Sequence, residues 1–440
     1  MEKFFKFKET GSDLKTEILA GLTTFLATMY IIIVNPSILS QTGMPFSGVL
    51  TATILVSAFS SIMMGIYAKN PIVLAPGMGI NAFFTYTVVI GMGVDWHVAL
   101  GAVFWSGIIF LLLSIFHVRT LIVKAIPQQV RYGTAVGIGL FIALIGLVDA
   151  KFIVANPATI VSLGAMNPIT ITFLAGFVVT IILVIKKIKG ALILGIMATT
   201  LLSIPIGRLY ADASAINYGV PTLVTYKGLF AMPDFSLLFS LNLVDSLKLS
   251  LLPVIFSMLF VDMFDSLSTF IGVAEAGNLK DAEGEPLRIK ESLIVDSFAT
   301  FFAGLTGSSA GTSFIESAAG IEEGGKTGFT AVVAGLLFLP FLFLSPLLSV
   351  VPSIATAPAL LLVGVFMTAP ISKINWKKLD DAIPAFLGMF LIPLTFSITQ
   401  GIIWSFLSYT VIKVAIGKRN EVHWMLYVID AFAILALFLK

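Results

Sequence analysis

Cysteine is missing from all 440 residues, so disulfides, thiol nucleophiles and cysteine-held metals are excluded. Charge is scarce too: 11% of the residues are Asp, Glu, Lys or Arg, against 58% hydrophobic, and the mean hydropathy of +1.03 lies far from the soluble range. The 26 basic and 24 acidic residues nearly cancel to a net +2, which gives a nucleic acid nothing to bind. Only three histidines occur, His97, His117 and His423. They are far apart and near the ends of apolar runs, where interfacial roles are expected, and neither a metal site nor a cofactor is expected. A cleavable leader is not expected either, because "MEKFFKFKETGSDLKTE" is charged and amphipathic and the first long apolar run begins only near Ile18.

Apolar runs are what the chain has in abundance. A hydrocarbon core of about 30 Å takes roughly 20 residues of helix. By that ruler spans fall near 16–38, 47–68, 71–90, 97–117, 132–149, 168–187, 190–207, 249–275, 290–305, 308–322, 327–347, 355–370, 380–397 and 400–416, with a short apolar stretch at 424–439 that either spans or lies in the interface. Alternating these from a cytoplasmic N-terminus leaves Lys151, Arg208, Lys227, Lys248 and Lys440 outside, so 26 − 5 = 21 basic residues fall inside, as positive-inside topology requires. The expected location is therefore the cytoplasmic membrane.

The longest loop, 207–248, divides the chain into two halves of seven spans, and an odd number forces the second half to enter the membrane in the opposite sense. Sequence echoes support a duplication: "APGMGINA" (75–82) aligns without gaps on "AGTSFIES" (310–317), and the segments around Pro127 and Pro352 resemble each other. Inverted repeats with helix breakers at matching positions point to a secondary transporter whose site lies at the breaks.

In "NPIVLAPGMGINAFF", Pro71, Pro76, Gly77 and Gly79 predict a brief extended piece followed by a half-helix from about Met78. In "LTGSSAGTSFIES", Gly307 and Gly311 break the helix, and the hydroxyls of Ser308, Ser309, Thr312 and Ser313 are expected to cap one that starts close to Thr312. Irregular backbone at that depth requires protein or a watery cavity to satisfy it. Two helix starts would then meet there, offering free N–H donors.

Asn81 and Glu316 hold matching places about one turn into each half-helix. An intramembrane Asn often only ties helices together. An acid at that depth costs about 2.5–3.5 kcal/mol on insertion scales and is usually functional. "FVDMFDSLSTF" adds Asp262 and Asp265, three residues apart on one helical face, and "SLIVDSFATFFAG" adds Asp296. Acids without a basic partner in a low-dielectric span can take up a proton and release it once the cavity opens elsewhere, as a proton-coupled carrier requires. Phe83, Phe84 and Phe264 lie beside these acids and could stack on a flat ring. "GIEEGGKT" (320–327) fits a phosphate-loop pattern, but it lacks the strand-to-helix setting that makes the pattern work, and Lys326 reads as a cytoplasmic anchor.

"LAGLTTFLATMYIIIVNPSIL", "LAPGMGINAFFTYTVV", "FVDMFDSLSTFIGVA" and "SSAGTSFIESAAGIEEGGKTG" together resemble the signatures of the AzgA-like purine permeases, the guanine/hypoxanthine branch of the nucleobase transporter superfamily. The resemblance covers nearly the whole chain. It implies an all-α polytopic membrane protein, a 7+7 inverted repeat of about fourteen segments whose third and tenth elements are broken into short strands and half-helices. Core parts at 16–117 and 249–347 would move against gate parts at 132–207 and 355–440, in an elevator-like cycle coupled to protons.

By motif, Glu316 is similar to the tenth-span residue that binds the base, Asp265 to the eighth-span acid, Asn81 to the third-span polar residue and Asp296 to the ninth-span acid. Gly79, Thr312, Ser313 and Phe264 lie in the same motifs and are expected at the substrate. Thr24 lies near a first-span position that contacts the site in related uracil carriers, where the residue differs. Proton coupling is expected of Asp265, Glu316 and Asp296. The partners implied are a purine base, protons and the bilayer, with a homodimer left open.

A carboxylate accepts two N–H groups side by side, which guanine offers at N1 and its exocyclic amine, whereas adenine presents an acceptor at N1 and would pair only with a protonated acid. This favours 6-oxopurines. The rivals are an adenine or uracil/xanthine carrier on the same fold, an inorganic-anion carrier, which would need a cation at the breaks, and an intramembrane hydrolase, for which no HExxH-type signature is present.

Overall fold

The computed structural model describes residues 2–116, 125–209, 228–277, 279, 286–348 and 350–438. His117, Lys440 and residues 210–227 of the long loop lie outside them.

Among the described residues eight helices are long and apolar enough to cross a membrane, and four more are apolar but shorter. In chain order the spans are Leu14–Thr42, Phe46–Ala68, a broken third, Trp96–Ile115, Gln128–Asp149, Pro168–Ile185 and Ala191–Leu209, which make the first half. The second half runs Leu252–Gly277, Ile289–Thr306, a broken tenth, Gly328–Phe343, Ile354–Lys373, Leu379–Thr395 and Ile398–Ala415, followed by a terminal helix Trp424–Phe438. The boundaries agree with the apolar runs to within a few residues. The terminal helix packs on the eighth span, with Phe432 stacked 6.4 Å from Phe256.

The third element is strand β1 (Leu74–Pro76) followed by the helix Met78–Gly91. Two further strands, β2 (Ile153–Asn156) and β3 (Ile160–Leu163), form an exposed hairpin after the fifth span that the hydropathy profile did not foreshadow. The tenth element is strand β4 (Gly311–Ser313) followed by a helical stretch at 315–322. Strands β1 and β4 pair antiparallel, Leu74 opposite Ser313, Ala75 opposite Thr312 and Pro76 opposite Gly311. Two interruptions that are far apart in the chain are thus joined in the interior, where each satisfies the other's backbone.

Side chains finish that accounting. The Ser61 hydroxyl accepts from the amide of Leu74 at 3.0 Å and donates to its carbonyl at 3.1 Å, and Ser317 Oγ accepts from the Val73 amide at 3.0 Å. Beyond the strands, Gly77 N–H donates to Ala310 at 3.0 Å and Phe314 N–H to Val73 at 2.9 Å. Gly77 is required by proximity, since a Cβ there would overlap the Thr312 side chain. The corresponding Pro127 and Pro352 both precede helices in extended conformation, at φ −60° and −71°, in line with the echo between fifth and twelfth spans.

The closest packing pairs particular spans. The first and second spans pack on the eleventh and the fourth on the ninth, while the fifth packs on the twelfth and thirteenth, the sixth on the seventh and the thirteenth on the fourteenth. At the bundle end near the N-terminus, Glu17 of the first span is fully buried. Its carboxylate accepts from the amides of Lys326 and Thr327 at 3.0 and 3.2 Å and from Thr330 Oγ1 at 2.6 Å. The amides of the phosphate-loop-like "GGKT" are therefore all taken within the chain, those of Lys326 and Thr327 by the Glu17 carboxylate and those of Gly324 and Gly325 by the carbonyls of Ile321 and Gly320.

Candidate functional site

A carboxyl, a phenol and a second carboxyl converge where the two breaks meet. Glu316, in the first turn after β4, accepts a 2.7 Å hydrogen bond from the Tyr30 hydroxyl of the first span. Both line a cavity of about 50 Å³ together with Gly79, Ser313 and Asp265. A larger cavity of about 240 Å³ continues from Asp265 past Phe264, Ile138 and Phe366 to Lys373. Asp265, Thr269, Ile315, Phe366 and Met367 belong to both. Among the described residues no basic side chain lines the cavity that holds Glu316, and Lys373 stands at the end of the twelfth span.

Of the two eighth-span acids, the structure turns only Asp265 to the cavity. Asp262, one turn earlier, is 1% exposed and accepts from Thr300 Oγ1 of the ninth span, which also donates to the carbonyl of Gly311 at 3.0 Å. Asp296 is buried behind β4, where Oδ1 accepts from Ser266 at 2.7 Å and from Ser313 at 3.2 Å, while Ser266 shares a 2.8 Å hydrogen bond with Thr312. This relay runs from the eighth span through the ninth to the broken tenth and fixes the strand that carries Glu316.

One expectation, that of a capped helix from Thr312, needs correction, and several expected residues lie away from the cavities. The tenth half-helix begins at Ile315 and has no side-chain cap, because pairing with β1 keeps 311–313 extended. The expected capping hydroxyls are used elsewhere: Ser308 accepts from Asn35 at 3.0 Å, Ser309 donates to Asn81, and Thr312 and Ser313 join the Asp296 relay. Asn81 is fully buried against Ser309 and lines neither cavity. Phe83 and Phe84 are likewise buried away from them, so that of the three rings only Phe264 reaches the space. Thr24 is buried against Gly320, where a glycine Cβ would meet its hydroxyl, and lines neither cavity.

Tyr30 was missed in the sequence. Its signal was the same that drew attention to Glu316, a lone polar group in an apolar run, "LATMYIIIVN". Of the histidines, His97 is exposed beside Asp95 at 2.7 Å, and His423 stands just before the terminal helix. One cluster of three carboxylates, Asp380, Asp381 and Glu421, has the spacing of a cation site. The Lys413 ammonium sits among them at 2.8, 2.8 and 2.7 Å and already supplies the positive charge.

The Xan_ur_permease model, described as a permease family, matches residues 15–403. The adenine permease AdeP of Escherichia coli strain K12 is 43% identical over 422 residues, spanning 96% of this chain and 92% of that one. The guanine/hypoxanthine permease PbuO of Bacillus subtilis strain 168 is 39% identical over 440 residues, spanning 99% and 100%. Among solved structures, the transmembrane domain of a cyanobacterium bicarbonate transporter, BicA, superposes with a TM-score of 0.65 at 14% identity, over 89% of this chain and 97% of that one. That likeness concerns the fold, which is the 7+7 inverted repeat. These full-length relatives are transporters rather than enzymes, and the chain belongs to the Xan_ur_permease family of membrane permeases.

Proposed function

We propose that this permease is a proton-coupled importer of purine nucleobases, with guanine and hypoxanthine preferred. The observation that carries the reading is the shared cavity of Glu316, Tyr30 and Asp265 at the meeting of two broken elements, acidic and without a cation of its own. An anion carrier on this fold would need positive charge at that point, whereas a base with N–H edges needs acceptors. Tyr30 donates to one Glu316 oxygen, and the other oxygen, with Asp265 nearby, accepts N1–H and the exocyclic amine of guanine or N1–H of hypoxanthine. Phe264 offers the ring face over which a flat heterocycle stacks. First-turn amides at Met78 and Ile315, free by helix geometry, supply the remaining donors.

Asp265 and Glu316 also carry the proton, with Asp296 holding the strand between them. Two groups of spans serve as core (spans one to four and eight to eleven) and gate (five to seven and twelve to fourteen), and the core slides against the gate. The cavity runs from Asp265 to Lys373, at the end of the twelfth span that positive charge assigns to the cytoplasm. At the opposite end Thr87 Oγ1 donates to the Phe396 carbonyl at 2.7 Å, closing core on gate.

Adenine is the second reading, favoured by the 43% identity to an adenine permease. Adenine's N1 acceptor and exocyclic donor match a protonated Glu316, which donates and accepts at once. Radiolabelled hypoxanthine uptake in a purine-import-deficient cell tests the function: accumulation that a protonophore abolishes, and that guanine competes better than adenine, is expected. Competition by adenine alone moves the assignment to the second reading, and absence of nucleobase uptake overturns both.

A further inference from the structure

A second cavity, of about 470 Å³, lies at the N-terminal end of the bundle, on the core side and away from the breaks. It is walled by the short N-terminal helices, the turn after the second span, the start of the ninth and the loop before the eleventh, with Lys6, Lys69, Arg288 and Lys326 converging on it. Only Lys6 is neutralised within the described residues, by Glu9 at 2.8 Å. Lys69, Arg288 and Lys326 have no carboxylate at ion-pair distance among the described residues; Lys69 lies over the Phe4 ring at 4.8 Å, and Arg288 donates to the Lys69 carbonyl at 3.1 Å. Among the described residues the cavity thus holds three positive charges with no carboxylate at ion-pair distance, beside the amide of Asn70 and the hydroxyls of Thr10 and Thr327.

The backbone points the same way. Lys6, Lys69 and Arg288 sit at φ 56°, 53° and 52°, the left-handed region that side-chain-bearing residues seldom occupy. Three of the eight such residues among those described border this one space. Strained backbone of this kind gathers where a ligand is clamped. A lone phosphate is too small for such a volume, but a phosphate on a larger body fills it, with the anion on Lys69, Arg288 and Lys326 and the remainder against Phe5, Leu279 and Leu287.

We propose that this cavity binds a phosphate monoester or diester carried on an organic group, either a soluble nucleotide or the headgroup of an anionic lipid. The site rests on the orientation proposed above for the soluble source only, since both sources reach it in purified protein.

The test is equilibrium binding to purified full-length protein at low salt, with inosine 5′-monophosphate as one arm and phosphatidylglycerol nanodiscs, against phosphatidylcholine, as the other. Saturable binding in either arm, weakened at least tenfold by K69Q/K326Q or by the exposed single change K326Q and weakened again by added salt, is the expected result. Binding in the first arm identifies a soluble ligand and in the second a lipid. The melting temperature of the same variants reports folding without reference to transport, so a failure here is separate from a failure of the transport reading. No saturable binding in either arm, or equal binding by wild type and a K326Q protein of unchanged melting temperature, overturns the proposal.

Discussion

Tyr30 and Glu316 lie 286 residues apart in the chain and share a 2.7 Å hydrogen bond where the first span meets the broken tenth. The phenol fixes one carboxylate oxygen, and in the proposed function the other takes the base. Removing a hydrogen bond to a charged group in a buried setting costs about 1.5–3 kcal/mol. Tyr30→Phe is therefore expected to raise the KM of hypoxanthine uptake roughly tenfold to a hundredfold while the protein remains in the membrane. An unchanged KM would remove Tyr30 from the site.

Asp262 and Asp265 separate by what each one faces. Asp265→Asn is expected to abolish protonophore-sensitive accumulation yet to leave base exchange across the membrane measurable, because the cavity keeps its shape. Asp262→Asn should act through the Thr300 hydrogen bond and the ninth span, lowering thermal stability with a smaller effect on coupling. Counterflow with preloaded vesicles, alongside melting temperatures, distinguishes the two.

These contrasts show what was legible in the sequence. The breaks at Pro76–Gly77 and Gly311 could be read because proline and glycine act locally, and so could the acids, because a charge in an apolar run stands out in any window. The direction of a side chain could not. Asp262 and Asp265 look alike by spacing, but Thr300, supplied by another span, takes one of them. Asn81 matches Glu316 in the alignment, yet Ser309 claims its amide and leaves it buried. Glycine and hydroxyl residues around Thr312 suggested a capped helix, whereas pairing with β1, a contact more than two hundred residues distant, holds them extended. Long-range pairing is what local pattern omits.

Gly77 is the tightest point of that pairing. Gly77→Ala should drive the new methyl into Thr312 and displace the strand that carries Glu316, costing about 1–3 kcal/mol as overpacking does. Hypoxanthine affinity and melting temperature are expected to fall together. A transport-neutral Gly77→Ala would show that the two strands part more easily than this packing allows.

Glu17 ties the first span to the loop before the eleventh through three donors. Glu17→Ala leaves the buried Thr327 amide and the part-buried Lys326 amide without their acceptor, and a loss of about 1.5–3 kcal/mol is expected, read as a lowered melting temperature in detergent. Glu17→Gln retains an acceptor oxygen and should recover part of it.

Absence of cysteine makes the proposed closing of core on gate directly testable. Thr87→Cys with Phe396→Cys, bridged by mercuric ion or as a disulfide, should stop uptake, and reductant should restore it. Full transport in the bridged protein would argue against sliding of one group of spans on the other.

The most direct measurement is equilibrium binding of radiolabelled hypoxanthine to purified wild type and Glu316→Ala protein, each checked for folding by its melting temperature. Binding by the wild type that falls at least about a hundredfold in the folded variant is the outcome expected of a charged acceptor at the meeting of the two breaks. Equal binding by both proteins would contradict it.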